Sequence, residues 1–233
     1  MRHRHGIFKI FAESELSNYI AERKNHVFSS IDNEQDDYLL NVNEVDYVNF
    51  QTDKAKIEHL VIHDDRIYAS SSEKMIPAEY FPSMFWVEPG RSYKKAVIKF
   101  HVPFSGNQDL IYCCPSSRIV WSMQVELGKD EFTFEIINFS NDIEKITREK
   151  DSSIQSILRQ LAYVTGEVQN FNSGIEAQIS KAFQSRKENL LKQHNVLASL
   201  GVPIKKTSGV SQTFSVPTVI PPFMVPLTSR WLV

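Results

Sequence analysis

The sequence predicts an α+β protein, with an antiparallel, β-sandwich-like domain, then a long coiled-coil-like helical hairpin, then a Pro-rich C-terminal tail. Three observations predict it. Side chains alternate over Ala96–Val102 and again over Phe132–Ile136. Apolar residues recur at steps of three and four between Asp142 and Leu200. Prolines recur through an apolar stretch after Val216. The expected boundaries are 1–140 for the β-rich domain, 141–201 for the hairpin and 202–233 for linker and tail.

Within the first domain, Ile7–Phe11, His26–Ile31, Tyr38–Val42, Asp46–Phe50, His59–Ile62 and Arg66–Ala69 each have the length and β-prone composition of a strand. Asp32–Asp37 and Asp64–Asp65 read as turns, and Ser70–Lys74 as a polar loop. Pro77, Pro82 and Pro89, with Phe81, Phe85 and Trp86, mark an extended passage covering one end of a core. Ala96, Ile98, Phe100 and Val102 alternate with Val97, Lys99 and His101, a half-buried strand. Leu110–Cys113 and Arg118–Val125 follow as further strands. Gly128-Lys129-Asp130 makes a tight turn into a strand carrying Phe132, Phe134 and Ile136. Strands joined by short turns without helices between them favour an antiparallel sheet.

In the helical stretch, Ile154, Ile157, Leu161, Val164, Val168 and Phe171 fall on one face, the candidate interaction seam. Arg159, Gln160, Glu167 and Gln169 between them are expected to face water. Ile143 and Ile146 begin the stripe, with Asn141 and Glu144 as capping residues. Ser173 and Glu176 have capping-box spacing, so a second helix can start there and carry Ile175, Ile179, Ala182, Phe183, Leu190 and Leu197. Gly201 and Pro203 would stop it. Asn170–Gly174 is then the hinge of an antiparallel hairpin with arms of roughly 40 Å at 1.5 Å per residue. Without reversal there, the stretch is one kinked helix in need of a partner chain, since so narrow a stripe buries little alone. Packing into a core is the ordinary use of such a stripe.

A hydrophobic content of 42% suits a packed core, and a net charge of -2 with a pI near 6.4 argues against wholesale electrostatic binding of nucleic acid. No apolar run has membrane-spanning length, and the first eleven residues lack a secretory hydrophobic region. The only cysteines, Cys113 and Cys114, are adjacent and read as free thiols in a reducing cytoplasm.

No catalytic constellation stands out. His59 and His63 are four apart and precede Asp64 and Asp65, but Leu60 stands where a zinc protease carries its glutamate. His59, His63 and Asp64 are therefore only low-ranking metal candidates, and no cofactor is expected. Glu22-Arg23-Lys24 matches a nuclease triplet by letter but lacks a preceding buried strand. Asp36 and Asp37 read as solvated turn residues. No nucleophile elbow or phosphate-cradling glycine loop occurs, and the chain has 8 glycines, few for a nucleotide site.

Val102-Pro103-Phe104-Ser105-Gly106, Cys114-Pro115-Ser116-Ser117, Phe171-Asn172, Arg186-Lys187 and Leu197 through Ile204 occur in an order that resembles a group of bacterial anti-phage defence proteins. The resemblance covers about residues 95–217. In that group a β-rich domain and a helical segment precede a restriction-endonuclease-like domain of the PD-(D/E)xK type. Here a Pro-rich tail stands in the nuclease's place, so no nuclease residue is carried over. The resemblance implies either a chain cut short of its nuclease or a stand-alone member acting on a separate effector.

The expected function is thus a non-enzymatic, cytoplasmic sensor or scaffold that self-associates or couples to a nuclease subunit, with nucleic acid reachable through that partner. Two other readings stay open. One is a metal-dependent hydrolase or nuclease using Asp36, Asp37, His59, His63, Asp64 or Asp65. The other is a phage structural protein.

Overall fold

A computed structural model describes residues 6–199, with side chains through 196. Residues through Lys192 belong to one compact unit. The chain forms β1 (Ile7–Lys9), β2 (Ser14–Glu15), α1 (Leu16–Asp32), α2 (Asp36–Asn41), α3 (Glu44–Ala55), β3 (Leu60–Ile62) and β4 (Tyr68–Pro77). It continues through β5 (Ser92–Gly106), β6 (Cys113–Cys114), β7 (Gln124–Leu127), β8 (Glu131–Asn138) and α4 (Ile143–Ser199). No described helix is long and apolar enough to cross a membrane.

The α+β class is present, with one antiparallel sheet at its centre. Its order is β1-β7-β8-β5-β3, and β4 also pairs with β5. β5 organises it: Ser92–His101 pair with β4, Phe104–Gly106 with β3, and Ala96–Pro103 with β8 on the other edge. Alternation puts Phe100, Val102 and Phe104 on one face with Phe132, Phe134 and Ile136, all buried. The rings of Phe100 and Phe134 lie 5.3 Å apart. The layer that covers this face is α4, not the second sheet expected of a sandwich: Ile154, Ile157, Val164 and Val168 share the sheet's core.

Three expected strands are helical instead. His26–Ile31 lies in α1, Tyr38–Val42 overlaps α2 and Asp46–Phe50 lies in α3. The β-prone composition of α3 is overridden locally by its cap: Asn43 Oδ1 accepts from Val45 and Asp46 N–H. Tertiary packing completes the override, because Val27, Ile31, Leu39, Tyr47, Val48 and Ala55 form a second buried cluster. The polar run Ser70–Lys74, expected as a loop, is the middle of β4, where the ladder with β5 fixes it. Leu110–Cys113 is mostly a short 3-10 turn, and strand structure in Arg118–Val125 begins only at Gln124.

The hairpin is absent. α4 runs from Ile143 to Ser199 without reversing at Asn170–Gly174. Its start is capped by Asp142, whose Oδ1 accepts from Lys145 N–H, in place of the expected Asn141–Glu144 pair. Ser173 Oγ donates to the Asn170 carbonyl within the helix, so no capping box forms. The two predicted stripes are one stripe. Leu190 lies thirty-six residues after Ile154, about ten turns at 3.6 residues each, so a continuous helix keeps both on the same face. The partner for its later half lies in the same chain: Ile175, Ile179, Phe183 and Leu190 join the α1–α3 cluster. The expected stop at Gly201 and Pro203, and the Pro-rich tail, lie outside the described residues.

Asn172, expected in the hinge, has a holding role. Its Oδ1 accepts from Ile57 N–H at 2.9 Å and its Nδ2 donates to Ile57 O at 2.8 Å. This fixes the segment between α3 and β3 to the helix. Ile57 is buried, so Asn172→Ala strands both of its backbone groups. The expected loss is about 2–3 kcal/mol in urea unfolding.

Candidate functional site: a cavity walled by α4

The six residues of the predicted seam are turned into the chain's own core. Ile154, Ile157, Val164 and Val168 are buried, and Leu161 and Phe171 pack beside them. The metal candidates are not gathered. His63 Nε2 bonds Ser105 Oγ at 3.0 Å, Asp64 opens a short 3-10 turn, and His59 Nδ1 is buried without a partner. Among the described residues no three His, Cys, Asp or Glu side chains converge. Asp36 is committed elsewhere, bonded to Arg186 of α4 at 2.9 Å. Glu22-Arg23-Lys24 lies on α1.

A cavity of about 590 Å³ opens where the chain enters α1. β2 and β6 pair in parallel, placing Glu15 opposite Cys114. The loop after β6 brings Arg118 and Trp121 to the rim, and α4 supplies Gln160. Helical spacing explains how α4 holds that loop. Gln160 and Glu167 are seven apart, two turns along one face. Gln160 Oε1 accepts from Ile119 N–H at 3.3 Å, and Glu167 Oε1 from Ser116 N–H at 2.6 Å.

Gln160 is only 3% exposed, and its Oε1 is the atom that holds the loop. The Arg118 guanidinium contacts Cys114 Sγ and lies 3.5 Å from Glu15. These two neighbours, the Cys114 contact above all, raise its pKa. Phe11 on the wall has φ 53, a left-handed conformation costing roughly 1–2 kcal/mol in a residue with a Cβ. It is held there by burial and by its N–H donating to Ile111 O at 2.7 Å. Backbone strain of this kind concentrates where a binding surface is shaped. The arrangement offers amide and guanidinium donors, the Glu15 carboxylate as acceptor, and aromatic walls to a small ligand.

The two free thiols differ. Burial pushes Cys113 up to about 11, and its Sγ donates to Asp109 O. Cys114 lines the cavity. With a disulfide-exchange reagent at pH 8, the native chain is expected to yield at most one thiol, Cys114, and both after denaturation. Peptide mapping checks the assignment.

Sequence reasoning missed Arg118, Phe11 and the role of Gln160. Gln160 was legible: it follows Ile157 by three and precedes Val164 by four, so it belongs to the apolar stripe and not to the water face. Nothing in the spacing of Phe11 or Arg118 announces them. No protein-family model matches the chain, and no curated protein or solved structure matches it either.

Proposed function

We propose that the chain is a recognition and coupling module, in which the cavity takes a small ligand and α4 carries the event to the helical cluster. The observation that supports this most is the shared wall. Gln160 lines the cavity, and the same helix packs into the α1–α3 cluster from Ile175 to Leu190. A ligand that engages Gln160 and Arg118 bears directly on the element both clusters share. The setting, a bacterial anti-phage system with a nuclease effector, comes from the resemblance of residues 95–217. Self-association or contact with that effector would use surface outside the seam, such as Tyr163 and Leu191, which stay 38% and 48% exposed.

The test is a phage challenge of cells expressing the chain with its genomic neighbours. Arg118→Glu is expected to restore plaque counts at least tenfold while the purified variant keeps its melting temperature. Equal plaque counts with and without the wild-type chain would remove the defence setting. Full protection by Arg118→Glu would remove the cavity from the mechanism.

A further inference from the structure

The sheet's other face carries an ordered relay of three side chains from three adjacent strands. Ser70 Oγ on β4 lies 2.9 Å from His101 Nε2 on β5. His101 Nδ1 lies 2.9 Å from Glu131 Oε1 on β8. Glu131 also accepts from the Tyr68 hydroxyl at 2.8 Å, and the Tyr68 ring stacks on the imidazole at 4.4 Å and 9°. An ionised carboxylate only accepts, so Glu131 requires the imidazole proton on Nδ1 and leaves the Nε2 lone pair for Ser70. His101 and Tyr68 both hold Glu131 below the usual carboxylate range, His101 chiefly. Lys99 stands opposite Ser70 in the ladder, bonded to Glu126 at 2.9 Å.

We propose that Ser70, His101 and Glu131 form a nucleophilic serine site for small, solvent-borne carboxylic esters. Nucleophile, base and orienting group stand at the separations such a site needs. Ser70 Oγ bonds to the acyl carbon as its proton passes to His101 Nε2. The ester C–O bond then breaks, and the leaving alcohol takes that proton. Water then gives a proton to His101 Nε2 as its oxygen bonds to the acyl carbon, the acyl C–O bond to Ser70 breaks, and Ser70 Oγ takes that proton back, releasing the carboxylic acid. Glu131 is a positioning residue. It fixes the tautomer and steadies the imidazolium. The charged or titratable neighbours of His101 are Tyr68, Glu131 and Lys99, with Glu126 and Glu135 held by Lys99.

The test uses a fluorophosphonate probe on the full chain, read by peptide mass mapping. Here Ser70 Oγ bonds to phosphorus, fluoride leaves and His101 takes the proton. Ser70 is expected to label at least tenfold faster than Ser72, which shares its strand face but stands opposite Val97. His101→Gln should abolish that advantage. Glu131→Gln should slow labelling and Glu131→Asp should restore part of the rate, because the carboxylate holds the imidazole in place. Equal labelling of Ser70 and Ser72 in the wild-type chain overturns the proposal, as does wild-type labelling in His101→Gln. The Ser70-to-Ser72 comparison needs no variant to fold.

Discussion

Truncating Phe183 to alanine is expected to destabilise the chain by about 3–5 kcal/mol, the range for a fully buried phenylalanine. Phe183 has no exposed surface, and its ring lies 5.1 Å from that of Tyr47. It is where α4 fills the space enclosed by α1, α2 and α3. α2 and α3 are short, with 6 and 12 residues, and isolated helices of their length are marginal in water. The order of α2 and α3 therefore depends on this contact. Urea unfolding followed by circular dichroism measures the loss. Leu191→Ala, on the exposed side of the same helix, is expected to stay within about 0.5 kcal/mol. A loss below about 1 kcal/mol for Phe183→Ala would mean the helical cluster does not rest on α4.

Gly106→Ala is the second large effect, expected at roughly 3 kcal/mol from steric conflict and strain together. Gly106 ends β5 with φ +84, and a Cβ there would fall 1.9 Å from His59 O. That oxygen is backbone, so relief requires moving the start of β3. Leu60 pairs with Gly106, so the displacement acts on the whole β3–β5 register. Leu60 and Ile62 are buried, and a shift of one residue would turn both toward water. Thermal unfolding checks the loss. Gly90→Ala is the comparison: φ is +77 there too, but nothing lies within 4 Å, so it carries backbone strain alone.

The sheet was legible where a single face is buried, because alternation at Ala96–Val102 and Phe132–Ile136 reports that face directly. Asp46–Phe50 was not, since Tyr47, Val48 and Phe50 suit strands by composition. Only Asn43 before them, with Glu44 and Asp46 in the first turn, signals the helix. The apparent hinge came from Ser173, Gly174 and Glu176, whose spacing fits a cap. Asn172 stays helical because its amide is used by Ile57, a contact across 115 residues that no local pattern encodes. The cavity was legible only through Gln160. Arg118 and Phe11 reach it by chain path, and Ser70 meets His101 only through strand order.

The central claim is that α4 is one rod joining the sheet to the helical cluster. Spin labels at Gln155→Cys and Glu188→Cys, both exposed sites, test it in a chain with Cys113→Ala and Cys114→Ala. The labelled positions are thirty-three residues apart, so a continuous helix predicts a single dipolar distance near 50 Å. A hairpin reversing at residues 170–174 would bring the labels within about 20 Å, given helix axes some 8–10 Å apart. A dominant short distance would contradict the account.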